Sequence, residues 1–356
     1  MSTTQRRGTA RPASAPRVTI TDVARAAGVS IAVVSYALND RPGVSDSTRR
    51  HVLRVADDLG WRPNAAARSM RSAVAASVGL QTLDPGRCTL SRSVALELAG
   101  GLRPRLGATA LAVEVVADRT AGAAALEAAW TERRHAAFVL HDLLLDDPRM
   151  RAAARVGAPV VAVTPPGVGT AGVTAPVWFA GQAEAAVGRY LTDLGHRRFA
   201  LVVEDARTDV ARALHEGILD ATTGRHATVE VVEVSGAPEA GAAAARLLAR
   251  DDRPTALVTD GDVSALAVLG SARHRGFRVP WEVSVVAGSD AETCRLVEPQ
   301  LTAVSRPWRS LAPVVDAALD RVRGVGEDGR DPGPTPPTAR LVIRGTTAPP
   351  PSSGGA

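Results

Sequence analysis

The chain has 356 residues, of which 45% are hydrophobic and 22% are charged, the balance of a globular protein that can bury a core. Its 42 basic residues are all arginine and its acidic residues number 37, so the formal net charge is +5, and the absence of lysine excludes Walker A loops and lysine nucleophiles. The two cysteines, Cys88 and Cys294, exclude a disulfide framework, and the lack of a signal peptide or long apolar run predicts a cytoplasmic protein.

The excess positive charge lies in the N-terminal segment. Residues 1–76 contain 12 arginines and 5 acidic residues, whereas the remaining 280 residues carry a small net negative charge. Such a segment favours a polyanionic partner. A general drift towards arginine is the alternative, although drift alone would not lower the number of acids in the same segment. Residues 1–17 are polar and contain Pro and Arg, which predicts a disordered basic arm.

Three short helical patterns follow this arm. Thr19 and Asp22 have capping-box spacing at the start of the first, and Gly28 ends it in a position that suits a left-handed residue. Ser30 caps the second helix almost immediately, and Ser45 caps the third. Two short helices joined by a tight glycine turn, with a third in support, predict a helix-turn-helix unit.

From residue 74 onward, short β-rich runs alternate with alanine-rich helical stretches, which predicts two doubly wound lobes with parallel sheets. The strand candidates are Ser77–Leu80, Ala110–Val116, Ala136–Leu140, Pro159–Val163, Phe199–Val203, Val229–Val234, Ala256–Thr259 and Val283–Ala287. The helix candidates include Ala121–Arg133, Gln182–Leu194, Thr208–Asp220 and Glu239–Ala249. A ligand is expected between the lobes, at the carboxyl ends of the strands.

Motifs that would signal an enzyme are absent or misplaced. Residues 167–172 match G-x-G-x-x-G, but the prolines before them and Pro176 after them leave no helix for a pyrophosphate. The histidines show no H-E-x-x-H pattern, and there is no G-x-S-x-G nucleophile elbow. The sequence therefore predicts no catalytic site, no metal site and no cofactor.

Residues 18–70 resemble the DNA-binding headpiece of the LacI/GalR family of bacterial transcriptional regulators. The rest resembles that family's periplasmic-binding-protein-like core, through Leu194–Arg198, Pro254–Ala256, Val283–Val286 and Pro299–Thr302. The resemblance implies a sequence-specific regulator, most simply a dimeric repressor on a pseudo-palindromic DNA operator in the nucleoid, with a small-molecule effector and no membrane contact. A ligand-independent DNA-binding protein that keeps the core for dimerisation is the alternative.

The expected domains follow from the resemblance together with the composition. They are a disordered basic arm (1–17), the helix-turn-helix headpiece (18–62), a hinge helix and linker (63–73), an effector-binding core (74–346) and a disordered tail (347–356). The first lobe of the core is expected at about 74–174 and 303–325, and the second at about 175–302 and 338–346, with a flexible insertion at 324–337.

The resemblance also implies DNA-contacting residues. Base reading falls mainly to Ile31, Ala32 and Tyr36, the last at a position where many relatives have Arg, so the operator cannot be copied from them. Packing of Tyr36 within the headpiece is the alternative. Phosphate contacts and hinge contacts fall to Thr19, Thr21, Ser30, Ser35, Asn39, Ser45, Thr48, Asn64, Ala67, Arg68 and Met70. Met70 would wedge between base pairs in the minor groove, and off DNA the hinge is expected to be disordered.

The positions that correspond to the family's effector contacts are mostly altered here. They are Phe179, Arg212, Leu214, Gly261, Asp262, Ser289, Asp290 and Trp308. Leu214, Gly261 and Ser289 stand where sugar-binding relatives have Arg, Asn and Asp, so most of the polar groups that would match sugar hydroxyls are missing. The effector is therefore expected not to be an ordinary free sugar. Asp262 and Asp290 could instead cap helices, and effector control could be lost.

Overall fold

The computed structural model describes residues 20–30, 33, 34, 37, 44–59, 77–84, 89–165, 174–324 and 333–351. The chain divides into two compact units, residues 1–73 and 74–356.

The described part of the headpiece contains helices α1 (Ile20–Ala27) and α2 (Asp46–Asp58). Gly28 ends α1 with a φ of 65°, as predicted, and the next backbone N–H, of Val29, donates to the carbonyl of Ala24 at 3.2 Å. This is the pattern of a helix terminated by a left-handed glycine, which carries no Cβ that would clash.

The predicted serine caps are present. Ser30 Oγ accepts from the backbone N–H of Val33, and Ser45 Oγ accepts from the backbone N–H of Thr48, each at 3.3 Å. Ser30 thus starts the helix to which the described residues Val33 and Val34 belong, and Ser45 starts α2. Each serine satisfies one of the backbone donors left over at a helix start.

A small apolar core joins these helices. Val23 of α1, Val34 of the middle helix and Val52 of α2 are all fully buried, and Ala24, Ala27 and Ala56 pack beside them. A hydrogen bond also links α2 to α1, because the Nε2 of His51 lies 3.2 Å from the carbonyl oxygen of Ala27 at the end of α1.

The core unit contains two sheets. The first has the order β2-β1-β3-β4-β5, and every pairing in it is parallel. Its strands are β1 (Ser77–Leu83), β2 (Ala110–Val116), β3 (Ala137–His141), β4 (Val160–Val163) and β5 (Thr174–Val177). The helices of this lobe are α3 (Thr89–Leu102), α4 (Arg119–Thr131), α5 (Pro148–Val156) and, from late in the chain, α11 (Ala312–Arg323).

The second sheet repeats that order as β7-β6-β8-β9-β10 and adds an antiparallel edge strand, β11, beside β10. Its strands are β6 (Arg198–Val203), β7 (Thr228–Glu233), β8 (Ala256–Thr259), β9 (Ser284–Ala287), β10 (Thr302–Ser305) and β11 (Arg340–Val342). Its helices are α6 (Ala183–Asp193), α7 (Asp209–Thr222), α8 (Ala237–Leu248), α9 (Asp262–His274) and α10 (Thr293–Leu296).

The prediction of two doubly wound lobes is confirmed, and all eight predicted strands are present. The lobe boundaries differ slightly from those expected. Because β5 pairs with β4, the first lobe reaches Val177, not residue 174, and because β10 pairs with β9, the second lobe reaches Ser305, not residue 302.

Residues 347–351 were expected to belong to a disordered tail, and that prediction is wrong for the part described. Ala348 is buried, its backbone N–H donates to Ser284 Oγ at 3.1 Å, and its carbonyl accepts from His196 at 3.0 Å. Thr347 Oγ1 lies 2.8 Å from the hydroxyl of Tyr190. The prediction from composition missed these polar contacts, because a run of prolines follows them and is typical of a disordered tail.

Candidate DNA-binding and effector sites

The headpiece presents two capped helix starts to solvent. Ser30 and Ser45 are exposed, Thr48 is half-buried, and the hydroxyls of Ser45 and Thr48 lie 2.8 Å apart. Helix starts carry backbone N–H groups and partial positive charge, so exposed hydroxyls beside them suit contacts to phosphate. Arg50 and Arg54 extend from the exposed face of α2 and add full positive charge.

Most other predicted DNA contacts cannot be placed. Thr21 lies in α1, but its side chain is not described. Outside the described residues lie Thr19, Ile31, Ala32, Ser35, Tyr36, Asn39, Asn64, Ala67, Arg68 and Met70.

In the core, a cavity of about 410 Å³ lies between the lobes. The four main segments that line it begin at Ala117, Asp142, Glu204 and Asp260, each of which directly follows a strand. Two of these strands, β2 and β3, belong to the first lobe, and the other two, β6 and β8, belong to the second. Carboxyl ends of parallel strands are the usual ligand-binding edge of such sheets, so the cavity lies where the sequence predicts the ligand cleft.

The lobes meet directly beside this cavity. Leu144, after β3, and Thr208, before α7, form a short antiparallel bridge. The backbone N–H of Asp209 also donates to the carbonyl of Leu143 at 2.8 Å. The start of α7 is therefore fixed to the loop that follows β3.

That loop is held by a buried arginine. Arg149 is fully buried, and its Nε and Nη2 donate to Asp147 Oδ1 and Oδ2 at 3.0 and 2.9 Å. Nη2 also donates to the carbonyls of His141 and Asp142, at 3.1 and 3.0 Å. Burial alone would raise the pKa of the Asp147 carboxyl, but these hydrogen bonds and the Arg149 charge hold it below its ordinary value. Burial of the His141 ring, together with the positive charges of Arg149 and Arg119, lowers the pKa of His141 to about 3 and keeps its ring neutral.

Of the predicted effector residues, only Gly261 and Asp262 line the cavity. Asp262 begins α9, and its Oδ1 and Oδ2 accept from the hydroxyls of Ser289 and Thr293 at 2.9 and 2.7 Å. Ser289 in turn accepts from the backbone N–H of Asp262 at 3.0 Å. Ser289 thus binds the first residue of α9. It contacts the cavity-lining residue Asp262 but does not line the cavity itself.

The remaining predicted effector residues lie elsewhere in the core. Asp290 forms an ion pair with Arg344 at 2.8 Å, and Arg212 forms one with Glu216 one turn along α7. Leu214 is fully buried in the second lobe.

Phe179 and Trp308 lie where the chain crosses between the lobes. Their ring centroids are 4.8 Å apart, and Trp178 packs edge-on against both rings. Beside them, Arg306 lies 5.8 Å from the Trp178 ring and pairs with the buried carboxylate of Glu184. These aromatic side chains pack against one another at the crossovers and do not line the cavity.

The sequence interpretation missed the acidic character of the cleft. Asp142, Glu204 and Asp260 each occupy the first position after a strand. Acidic residues directly after buried β-runs were the available signal. Burial raises the pKa of Asp260 to about 6, and burial together with the charge of Asp142 raises the pKa of Asp209 to about 7.

We expect Asp209→Asn to raise the Tm of the core at about pH 8 and to leave it nearly unchanged at about pH 4. The pKa of this buried carboxyl is about 7 in the folded core against an ordinary value of 3.8. The contribution of this carboxyl to the free energy of unfolding is therefore fully present below about pH 4, where it is neutral in both states. That contribution is lost as the pH rises through about 7. A shift of this size corresponds to roughly 4 kcal/mol at most. Calorimetry across this pH range measures the difference.

Asp193→Asn is the matched control, because Asp193 is exposed and lies on α6 of the same lobe. We expect its stability profile to follow that of the unmodified chain. Equal Tm differences for Asp209→Asn at both ends of the pH range would contradict the assignment of a buried, protonated carboxyl.

Two further features of the described residues bear on function. No described helix is both long and apolar enough to cross a membrane. Within the same residues, no cluster of three or more His, Cys, Asp or Glu side chains is arranged to hold a metal ion.

Comparison with known proteins matches both units. The family model described as bacterial regulatory proteins, lacI family, matches residues 19–64, and a periplasmic binding protein-like domain matches residues 189–347. Catabolite control protein A of Priestia megaterium is 28% identical over 322 residues, which cover 85% of this chain and 92% of the relative. The HTH-type transcriptional repressor PurR of Klebsiella pneumoniae is 26% identical over 336 residues, which cover 93% of this chain and 97% of the relative.

The fold is shared with solved regulators. The lac repressor dimer bound to operator and the anti-inducer ONPF superimposes with a TM-score of 0.77 at 22% identity, covering 94% of this chain and all of that chain. The fold of this chain thus extends over nearly the full length of that solved chain. The chain belongs to the LacI/GalR family of bacterial DNA-binding transcriptional regulators.

Proposed function

We propose that this regulator is a homodimeric repressor that binds a pseudo-palindromic operator and responds to a small molecule in the cleft between its lobes. The observation that carries the proposal is the pairing of a strongly basic helix-turn-helix segment with a two-lobed core that contains a cavity at its strand ends. The similar lac repressor was solved as a dimer on its operator with an anti-inducer bound. The curated relatives are likewise regulators.

In this proposal the recognition helix reads bases through Ile31, Ala32 and Tyr36. Apolar Ile31 and Ala32 suit thymine methyl groups, and Tyr36 replaces the bidentate arginine of many relatives. The exposed caps Ser30 and Ser45 bind phosphates. Phosphate and hinge contacts also come from Thr19, Thr21, Ser35, Asn39, Thr48, Asn64, Ala67, Arg68 and Met70.

The effector is not an ordinary free sugar. Leu214 is buried where relatives have a ligand-binding arginine, Ser289 is bonded to Asp262, and Asp290 is paired with Arg344. The same internal pairings favour a second candidate, a ligand-independent DNA-binding protein that keeps the core for dimerisation. A ligand that stabilises the core and also changes operator affinity distinguishes the first candidate from the second.

The proposal is tested by the salt dependence of DNA binding. All cationic phosphate contacts must come from arginine, since the chain contains no lysine. We expect sites selected from random DNA by the full-length protein to be two-fold symmetric, and log affinity to fall steeply with log salt because counterions are released. Fluorescence anisotropy with a selected and a scrambled duplex measures both properties. A flat salt response, or equal affinity for the two duplexes, would contradict the proposal.

A further inference from the structure

Two of the crossovers between the lobes lie side by side. In the first, residues 178–182 lead from β5 of the first lobe to α6 of the second. In the second, Arg306 and Pro307 lead from β10 of the second lobe to a short 3₁₀ helix, Trp308–Leu311, which precedes α11 of the first lobe. A change in the relative arrangement of two lobes occurs through a few backbone angles in such segments. Contacts made by these residues therefore determine which arrangements the core can adopt.

A buried arginine begins the second crossover. The side chain of Arg306 is 1% exposed, and its Nε and Nη2 donate to Glu184 Oε1, in the first turn of α6, at 3.2 and 2.5 Å. Its Nη1 donates to the carbonyl of Gly288, directly after β9, at 2.6 Å. One guanidinium thus binds the start of α6 and the end of β9 to the end of β10. The second lobe is therefore tied together as far as Arg306.

Aromatic rings from both crossovers pack together beside this arginine. Trp178 and Phe179 come from the first crossover and Trp308 from the second, and their ring centroids lie 4.8 to 5.8 Å apart in edge-to-face contacts. Such contacts depend on the angle between the rings, so rotation of one crossover against the other would weaken them. The Cζ of Arg306 lies 5.8 Å from the Trp178 ring centroid, where a cation is attracted to the ring face. Arg306 thus connects the aromatic cluster to the second lobe.

The same arginine is connected to the wall of the cavity. Gly288, whose carbonyl it binds, packs so closely on the end of β8 that a Cβ at this position would overlap the backbone oxygens of Thr259 and Asp260. Asp260 lines the cavity. A ligand that displaces this wall would therefore act on the crossovers through Gly288 and Arg306.

The chemistry of the pair suits a positioning role. A buried ion pair adds little net stability over apolar side chains of similar volume, because both charges lose their hydration. It is directional, however, since the planar guanidinium holds its N–H donors at fixed angles, and Arg306 uses them on both Glu184 and Gly288. A displaced crossover would leave the carboxylate of Glu184 buried without this cation. The pair therefore disfavours other arrangements of the crossovers.

We infer that Arg306 is a positioning residue that holds the core in one lobe arrangement in the absence of ligand. It does so by binding Glu184 and Gly288 and by bracing the aromatic rings of the two crossovers. The inference concerns the core and rests on the proposed function only for its regulatory meaning. In a ligand-sensing regulator, a ligand changes the lobe arrangement only if it favours another arrangement strongly enough to release these contacts.

The test measures the distance between the lobes in the full-length protein, without DNA, by double electron–electron resonance. Spin labels are attached at Glu132→Cys in the first lobe and Asp193→Cys in the second, positions whose side chains are 61% and 70% exposed. Cys88 and Cys294 are replaced by alanine in every sample, so that only the two introduced positions are labelled. We expect one population of distances in this protein.

Two variants release the contacts of Arg306 in different ways. Arg306→Lys keeps a cation beside Glu184 but lacks the planar fork that binds Glu184 and Gly288 together. The double variant Arg306→Met, Glu184→Leu removes both charges and leaves apolar side chains in their place, so the core remains folded. We expect each to add a second population of distances, of roughly 10% or more.

The matched control removes an exposed ion pair of the same lobe. Arg250 and Glu230 pair at 2.7 Å with side chains 41% and 45% exposed, so Arg250→Met, Glu230→Leu makes the same two substitutions away from the crossovers. We expect this control to retain one population of distances. A single unchanged population in both Arg306 variants, or a second population in the control as well, would overturn the inference.

Operator binding by the unmodified chain separates this inference from the proposed function. Specific DNA binding together with unchanged distances in the Arg306 variants would remove the inference and leave the regulator intact. A second population of distances in those variants of a protein that binds no DNA site would instead support the inference and remove the proposed function.

Discussion

We expect the Val52→Asn variant to lose specific operator binding by at least about 100-fold. Val52 is fully buried among Val23, Val34 and Ala56 in the headpiece. An amide there has no partner, and the loss of packing adds to that cost, about 3–5 kcal/mol together. A helical unit of this size has only a few kcal/mol of stability, so the headpiece unfolds. Anisotropy with a selected operator measures the loss.

Leu53→Asn is the matched control, because Leu53 is the next residue of α2 and is 47% exposed. The same uncharged side chain on the solvent face should change operator affinity by less than about threefold. The thermal transition of the core should be unaffected in both variants, since the core is a separate compact unit. Equal effects of the two substitutions would contradict the assignment of Val52 to the headpiece core.

The second large effect is expected at the buried pair beneath the cleft. Arg149→Leu should lower the free energy of unfolding of the core by about 3–5 kcal/mol, because it removes the bidentate partner of the buried carboxylate of Asp147 and leaves Arg119, at 3.5 Å, as its remaining cation. It also removes the donor that fixes the carbonyls of His141 and Asp142, so the loop lining the cleft should lose order. Denaturant unfolding followed by tryptophan fluorescence measures the change.

Arg151→Leu provides the control on the same helix, since Arg151 is 57% exposed and pairs with exposed Asp146. A solvated pair of this kind contributes about 0–1 kcal/mol. Adding Asp147→Asn to Arg149→Leu removes the stranded charge and should restore part of the stability. Similar losses in the two single variants would mean that burial of the Arg149 pair has no energetic consequence.

Local patterns predicted most of the fold. Gly28, Ser30 and Ser45 end or begin their helices as expected, because a left-handed glycine and a hydroxyl cap act within one turn. The eight predicted β-runs are also strands in the structure. The exceptions depend on distant partners: Ala348 is ordered by His196 and Ser284, which are far away in sequence. Contacts between residues so far apart in sequence cannot be predicted from amino-acid composition.

The candidate effector site was only partly predictable. The resemblance pointed to Gly261 and Asp262, which do line the cleft, because both follow Asp260, the first residue after β8. It did not anticipate that Ser289 would bond to Asp262 or that Asp290 would pair with Arg344, because each depends on a partner from another element. The acids after β3, β6 and β8 were visible in the sequence. Their convergence across two lobes required the topology.

The measurement that tests the central claim most directly is genome-wide mapping of the sites that the full-length protein occupies in its own cells. The account predicts a modest number of sites that share one two-fold symmetric motif, because a dimer places two identical headpieces on one duplex. It also predicts that Val52→Asn abolishes occupancy at those sites and that Leu53→Asn does not. Occupancy without a shared motif, or motif binding that survives Val52→Asn, would contradict it.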